Sequence, residues 1–136
     1  MSPPSRFKPT QNADNAWWWQ QAAEGKLAIQ RCTGCQTLRH PPRPMCGECR
    51  SLEWDSIAAS GRGTLCSYTI LHHPQYPGYR YPLIIILVDL VEGTRFTSQL
   101  VDCAPQDVRF GMPLEMTMHE DPDGFRLPVF KPARGA

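Results

Sequence analysis

Apolar residues in this chain cluster once near the start and then fall into strand-length runs separated by turn residues. Residues 1–12 are polar, carry three prolines and show no periodicity, which predicts a poorly ordered arm. From Asn12 or Asp14, either a fitting N-cap, Asn15 to Glu24 reads as a helix of about three turns that stops at Gly25. Leu27 to Arg31 reads as a strand. After Trp54 to Ile57, the turn Ser60-Gly61-Arg62-Gly63 leads into a strand from Thr64 to Leu71. The loop His72 to Pro82 separates it from Leu83 to Leu90, whose unbroken apolar character predicts a strand buried on both faces and central in its sheet. Glu92-Gly93 marks a hairpin into Thr94 to Val101. A connector over 105–111 precedes Leu114 to His119, and Pro122-Asp123-Gly124 turns the chain into a last strand, Phe125 to Phe130. Five such strands suit a small closed barrel of the OB type. The expected fold is mostly β: an arm and helix over 1–26, a small module over 27–56, and a five-stranded OB-fold barrel over 57–132.

The small module holds Cys32, Cys35, Cys46 and Cys49, two Cys-x2-Cys pairs with ten residues between them. In this spacing each pair forms a knuckle that points two thiolates at one tetrahedral site, so the segment reads as a zinc ribbon. About 30 residues bury too little apolar surface to fold by themselves, and the metal supplies the missing free energy because it binds only the folded form. Four thiolates leave no position for water or substrate, which makes the zinc structural rather than catalytic. Iron satisfies the same spacing. A redox dithiol needs its pair at a helix N-terminus, and these pairs sit between turn residues instead.

Composition narrows the function. Lys and Arg number 14 against 13 Asp and Glu, a net charge of +1, which gives no global attraction for a polyanion and disfavours nucleic acid as partner. The longest apolar run, Leu83 to Val88, is far short of a membrane span. The first residues lack the apolar core of a signal peptide, so a reducing cytoplasm is the expected location and zinc outranks disulfides. Cys66 and Cys103 read as small core residues. None of His40, His72, His73 and His119 stands in a recognisable catalytic setting.

Three further features have two readings each. Trp17, Trp18 and Trp19 put aromatic bulk around most of a short helix, more than one packing face buries, so the helix either docks on a partner with tryptophan anchors or packs on its own barrel and ribbon. Arg31, Arg39, His40, Arg43 and Arg50 make the ribbon locally basic, a surface that is either solvated or a contact for a phosphate, with Arg39 and Arg43 the candidates. The tyrosine- and proline-rich loop His72 to Pro82 is either a preorganised contact surface or an ordinary barrel loop.

Taken in order, Leu27 to Cys32 through Cys35, Pro41-Pro42-Arg43-Pro44-Met45-Cys46 through Cys49, Ser60-Gly61-Arg62-Gly63-Thr64-Leu65, Val88-Asp89-Leu90, Gly111-Met112-Pro113-Leu114 and Leu127-Pro128-Val129-Phe130 resemble a known family over about residues 15 to 132. Its members combine an N-terminal helix, a rubredoxin-like zinc ribbon and a C-terminal OB-fold, long described as a domain of unknown function. The resemblance implies a non-catalytic accessory subunit of a thiolase-superfamily enzyme, one that stabilises the enzyme and helps hold or channel its acyl-CoA. Members serve acetoacetyl-CoA thiolase and hydroxymethylglutaryl-CoA synthase assemblies, phloroglucinol acetyltransferases, thiolases of aromatic degradation, and retro-aldolases (C–C bond lyases) that shorten steroid side chains. The implied partner is a thiolase-like subunit in a heterotetramer, with the acyl-CoA at a shared site. Cys66 departs from the bulkier residue usual at its position, and none of the residues in this sequence reads as an enzyme domain, so the resemblance implies catalytic residues outside them. The rival class is a single-stranded nucleic-acid-binding module, since OB-folds and zinc ribbons both occur there.

Overall fold

The structure is a computed structural model that describes residues 4–134. Helix α1, Ala16–Ala23, is shorter than its sequence pattern and too short to persist alone. It starts where two asparagines interlock. Asn12 Oδ1 accepts the backbone N–H groups of Asp14 and Asn15 at 2.9 and 3.1 Å, and Asn15 Oδ1 accepts that of Asn12 at 2.9 Å. These side chains build the turn ahead of the helix rather than capping the helix itself.

The ribbon is a three-stranded antiparallel sheet in which β1 (Ala28–Cys32) lies between β2 (Leu38–Arg39) and β3 (Trp54–Ala58). Strand β3 was not expected from the sequence. It forms because Trp54 to Ala58 pairs along the whole of β1, from Cys32 opposite Trp54 to Ala28 opposite Ala58. Across that pair the Arg31 guanidinium holds Asp55 in a fork, Nε and Nη2 donating to the two carboxylate oxygens at 2.8 and 2.7 Å.

The second sheet contains β4 (Arg62–Leu71), β5 (Leu83–Leu90), β6 (Arg95–Gln99), β7 (Pro113–Glu120) and β8 (Arg126–Pro132), ordered β6-β5-β4-β7-β8. It curls until its edges meet: Leu100 bridges Phe130 in parallel, and the Val101 N–H donates to the Phe130 carbonyl at 2.8 Å. This is the five-stranded OB barrel read from the sequence. The middle strand is β4, however, and β5 is not buried on both faces. Its even-numbered residues Ile84, Ile86, Val88 and Leu90 fill the interior, while Ile85, Leu87 and Asp89 lie half-buried on the outside. A barrel has one interior, so half of a continuous apolar run must face outward.

Strand β4 pairs with both neighbours at its start, and a bulge between Leu65 and Ser67 places Cys66 at the irregular position. Gly63 sits in this crowded stretch. A Cβ there would lie 2.5 Å from the Asp89 carbonyl oxygen and 2.7 Å from Val88 Cγ1, so only glycine lets β4 and β5 approach this closely.

One core runs through all the parts: Trp18 and Ala22 of α1, Leu27 and Ile29 at β1, and Leu65, Ile86, Val88, Phe96, Leu114 and Phe130 of the barrel. The arm, expected to be poorly ordered, is instead fastened across the barrel from Arg6 onward; residues 1–3 lie outside the described residues. Asp121 accepts the Arg6 N–H at 3.2 Å and the Lys8 ammonium at 3.3 Å, and Phe7 packs edge-on against Tyr76 with ring centres 5.3 Å apart. The 72–82 loop thus contacts this chain's own arm. At Gly78, with φ +92°, a Cβ would come within 2.6 Å of the Ser5 backbone. The anchors of the arm lie about 70 and 115 residues away in sequence, which is why its local polarity misled.

Candidate functional site

The four cysteine sulfurs converge, all lying within 4.8 Å of one another. Cys32 and Cys49 Sγ are 3.4 Å apart, and Cys35 and Cys46 Sγ 3.6 Å. Sulfurs bound tetrahedrally to one zinc at 2.3 Å stand roughly 3.8 Å apart, so the cluster has the dimensions of such a site. The two knuckles repeat one design. Gly34 and Glu48 N–H groups donate to Cys32 and Cys46 Sγ at 3.3 and 3.4 Å, and Gln36 and Arg50 N–H groups donate to the Cys32 and Cys46 carbonyls at 2.8 and 3.0 Å. Both closing residues are left-handed, Gln36 at φ 66° and Arg50 at φ 64°. One member of each pair is buried (Cys32, Cys46) and the other exposed (Cys35, Cys49).

These bonds set the thiol acidities. Backbone N–H groups of Cys49 and Glu48 bring Cys46 down to about 6, and the Cys35 N–H lowers Cys32 in the same way. At Cys49 the Ser51 N–H also pulls downward, but the neighbouring sulfurs Cys32, Cys35 and Cys46 together with burial push it up to about 12. Four adjacent thiolates repel one another, and a dication at their centre removes the conflict. The donor set and the spacing therefore fit zinc.

The basic ribbon surface largely dissolves on folding. Arg31 is neutralised by Asp55. Arg39 is buried, which corrects its assignment as a phosphate contact: its Nε and Nη2 donate to the Arg43 carbonyl at 3.0 and 2.9 Å. His40 lies half-buried against Trp18 and Phe96, and burial lowers its pKa so that it is neutral at pH 7. Arg43 and Arg50 remain exposed. The buried Gln30 accepts the Arg43 N–H at 2.9 Å, so Gln30 and Arg39 grip the Arg43 backbone from both sides and leave its side chain exposed on a fixed loop. Nothing in the local sequence marks Gln30 for this role; its partner lies 13 residues away.

The three tryptophans go to three surfaces. Trp18 is 5% exposed, which corrects its assignment as a partner anchor: its ring packs on Phe96 and its indole N–H donates to the Ala28 carbonyl at 2.8 Å. Trp17 lies on Trp54 of the ribbon and Trp19 on Phe125 of the β7–β8 hairpin, with ring centres 4.9 and 5.4 Å apart. The helix lies in a cleft between two modules, so it has more than the single packing face the sequence argument allowed. Trp17 and Trp19 stay half-buried, and with the exposed Leu52 and Trp54 they leave apolar surface for a partner.

Cys66 and Cys103 are half-buried free thiols, and burial raises Cys103. His119 is engaged with Asp121 at 2.7 Å. No helix among the described residues is long and apolar enough to cross a membrane.

Residues 19–55 match the rubredoxin-like zinc ribbon domain of ChsH2, and residues 56–119 match its C-terminal OB-fold domain. A solved chain of the Ltp2-ChsH2(DUF35) aldolase superimposes with a TM-score of 0.89 at 44% identity, covering 92% of this chain and 98% of that one. This chain belongs to the ChsH2/DUF35 family. It is 44% identical over 128 residues to the probable enoyl-CoA hydratase alpha subunit of Thermomonospora curvata, and 35% identical over 123 residues to the 3-oxo-4,17-pregnadiene-20-carboxyl-CoA hydratase alpha subunit of Mycobacterium tuberculosis. These alignments cover 94% and 90% of this chain but only 40% and 39% of the two relatives. The family assignment gives the four-cysteine cluster its name, a zinc ribbon.

Proposed function

We propose that this chain is a non-catalytic subunit of a thiolase-superfamily acyl-CoA enzyme, which it stabilises and whose acyl-CoA it helps to hold. The observation that carries this reading is the likeness, at 44% identity and 98% coverage, to the DUF35 chain of an aldolase assembly. Of the two chemistries open to such a partner, retro-aldol cleavage of a C–C bond is favoured over thiolysis by that aldolase. The steroid-CoA named for the mycobacterial relative favours a steroid side chain as the acyl group. The hydratase names belong to proteins more than twice as long as the matched segment, so hydration is not carried over.

In this reading Cys32, Cys35, Cys46 and Cys49 hold one zinc ion, whose role is to fix the ribbon. A closed four-thiolate shell offers no site for substrate. The ribbon in turn holds β1, on which the core residue Trp18 is bonded, and the loop that carries Arg43. Arg43 meets a phosphate of coenzyme A, and the surface around Trp17, Leu52, Trp54 and Trp19 faces the partner. The pair associates further into a heterotetramer in the cytoplasm, where a reducing medium keeps the four ligand thiols available to the metal.

The test is co-expression with a thiolase-superfamily enzyme subunit encoded beside this chain. Co-purification at a fixed ratio, with one zinc per copy of this chain, is the expected result. Separate elution of the two, each folded, would contradict it.

A further inference from the structure

A groove of about 490 Å³ opens between α1, the turn after β2 and the barrel strands β5, β6 and β8. Trp18, Trp19, Phe96, Leu127 and Pro128 give it an apolar face, and polar residues complete the lining. The volume is that of a pocket for one small organic molecule. Of its lining residues the functional reading above gives only Trp19 to the partner surface.

Two polar side chains line this groove, and each keeps one buried atom without a hydrogen-bond partner. The Arg6 side chain is only 10% exposed, and its Nε–H is buried without a hydrogen-bond acceptor. The nearest carboxylate, Asp121, stands 4.0 Å away and already bonds to His119, Lys8 and the Arg6 backbone N–H. Gln99 Oε1, on the β6 wall, is likewise buried without a donor. A guanidinium with so little water around it favours an anion beside its accessible end, and a carboxylate is the group that matches it best. The other titratable groups on the groove do not compete. His40 is kept neutral by burial, and Asp14 is on the exposed rim.

We propose that this groove binds an apolar carboxylate, a ring or chain hydrocarbon with one acid group, whose body lies on Trp18, Phe96 and Leu127 and whose carboxylate is held by Arg6. The arm then has a purpose. Its fastening through Asp121 and Gly78 brings Arg6 to the groove, and a freed arm carries the charge away.

Because Trp18 and Trp19 line the groove, energy transfer from tryptophan to a bound pyrene reads occupancy directly. The full chain is titrated with pyrenebutyrate and with the uncharged pyrenebutanol. One saturable site per chain is expected, with the acid bound about tenfold or more tightly than the alcohol, the scale of a charge-assisted hydrogen bond. Arg6→Gln should erase that preference while leaving alcohol binding within twofold. Thr97→Trp, at an exposed residue of the groove wall, should weaken both probes. Equal binding of acid and alcohol by the parent, or a preference that survives Arg6→Gln, overturns the proposal. So does undiminished binding in Thr97→Trp, which puts the probe elsewhere, and so does the absence of saturable binding, which leaves the groove to a polypeptide.

Discussion

The indole N–H of Trp18 donates to the carbonyl of Ala28 at 2.8 Å, while the same ring lies on Phe96. Ala28 opens the first ribbon strand and Phe96 belongs to β6 of the barrel, so one side chain joins helix, ribbon and barrel. Trp18→Ala should therefore cost about 3–5 kcal/mol, the range for truncating a large core aromatic. Trp17→Ala and Trp19→Ala, at half-buried sites, should cost less and weaken partner binding more. Thermal melts of the isolated subunit beside a pull-down establish the order; Trp18→Ala with an unchanged melt would contradict it.

Removing the metal should unfold the ribbon first. Cys46→Ser deletes a buried ligand whose thiol the knuckle N–H groups hold ready to ionise, so the variant should lose its zinc and its partner while the barrel keeps much of its strand content. Elemental analysis together with far-ultraviolet circular dichroism checks this. Full zinc occupancy in Cys46→Ser would show that the four sulfurs are not one site.

How much of this was legible beforehand depended on whether the signal was local. The Cys-x2-Cys pairs, the strand Leu83–Leu90 and the barrel's hairpin turns are local patterns, and each was found where expected. Strand β3 was missed because Trp54 to Ala58 is an exposed-edge segment that only pairing with β1 organises. Arg39 and Arg43 look alike in sequence, yet one guanidinium is turned inward onto the other's carbonyl. The tryptophan triplet suggested excess bulk because Trp54, Phe96 and Phe125, which cover it, are more than 30 residues away.

Acid should release the N-terminal arm. Burial pushes the Asp121 carboxyl up, but bonds from His119, Lys8 and the Arg6 N–H outweigh it and hold it below the ordinary carboxylate value. An acid lowered by folding stabilises the folded state above its unfolded pKa of about 4, and that contribution is lost as pH falls through the folded value. The amide resonances of Arg6 and Phe7 should thus be steady near neutrality and move below about pH 4. Asp121→Asn should show the released positions at neutral pH. Resonances that stay fixed down to about pH 2 would contradict the account.

Arg43 and Arg39 should separate function from stability. Arg43→Ala removes an exposed side chain from a fixed loop, so it should raise the complex's KM for acyl-CoA severalfold, with kcat less affected and the melt unchanged. Arg39→Ala breaks two hydrogen bonds from a buried guanidinium and should lower stability by about 1–3 kcal/mol. Equal kinetics in Arg43→Ala and the parent would remove Arg43 from the acyl-CoA site.

Reconstitution tests most directly whether the chemistry resides on a partner. The rate of acyl-CoA cleavage is measured for the thiolase-like subunit alone, for this chain alone, and across a titration of one with the other. This chain alone should show no turnover, and the partner's rate should climb and saturate at a fixed molar ratio. Turnover by this chain alone, or a partner rate indifferent to its addition, would contradict its assignment as a non-catalytic subunit.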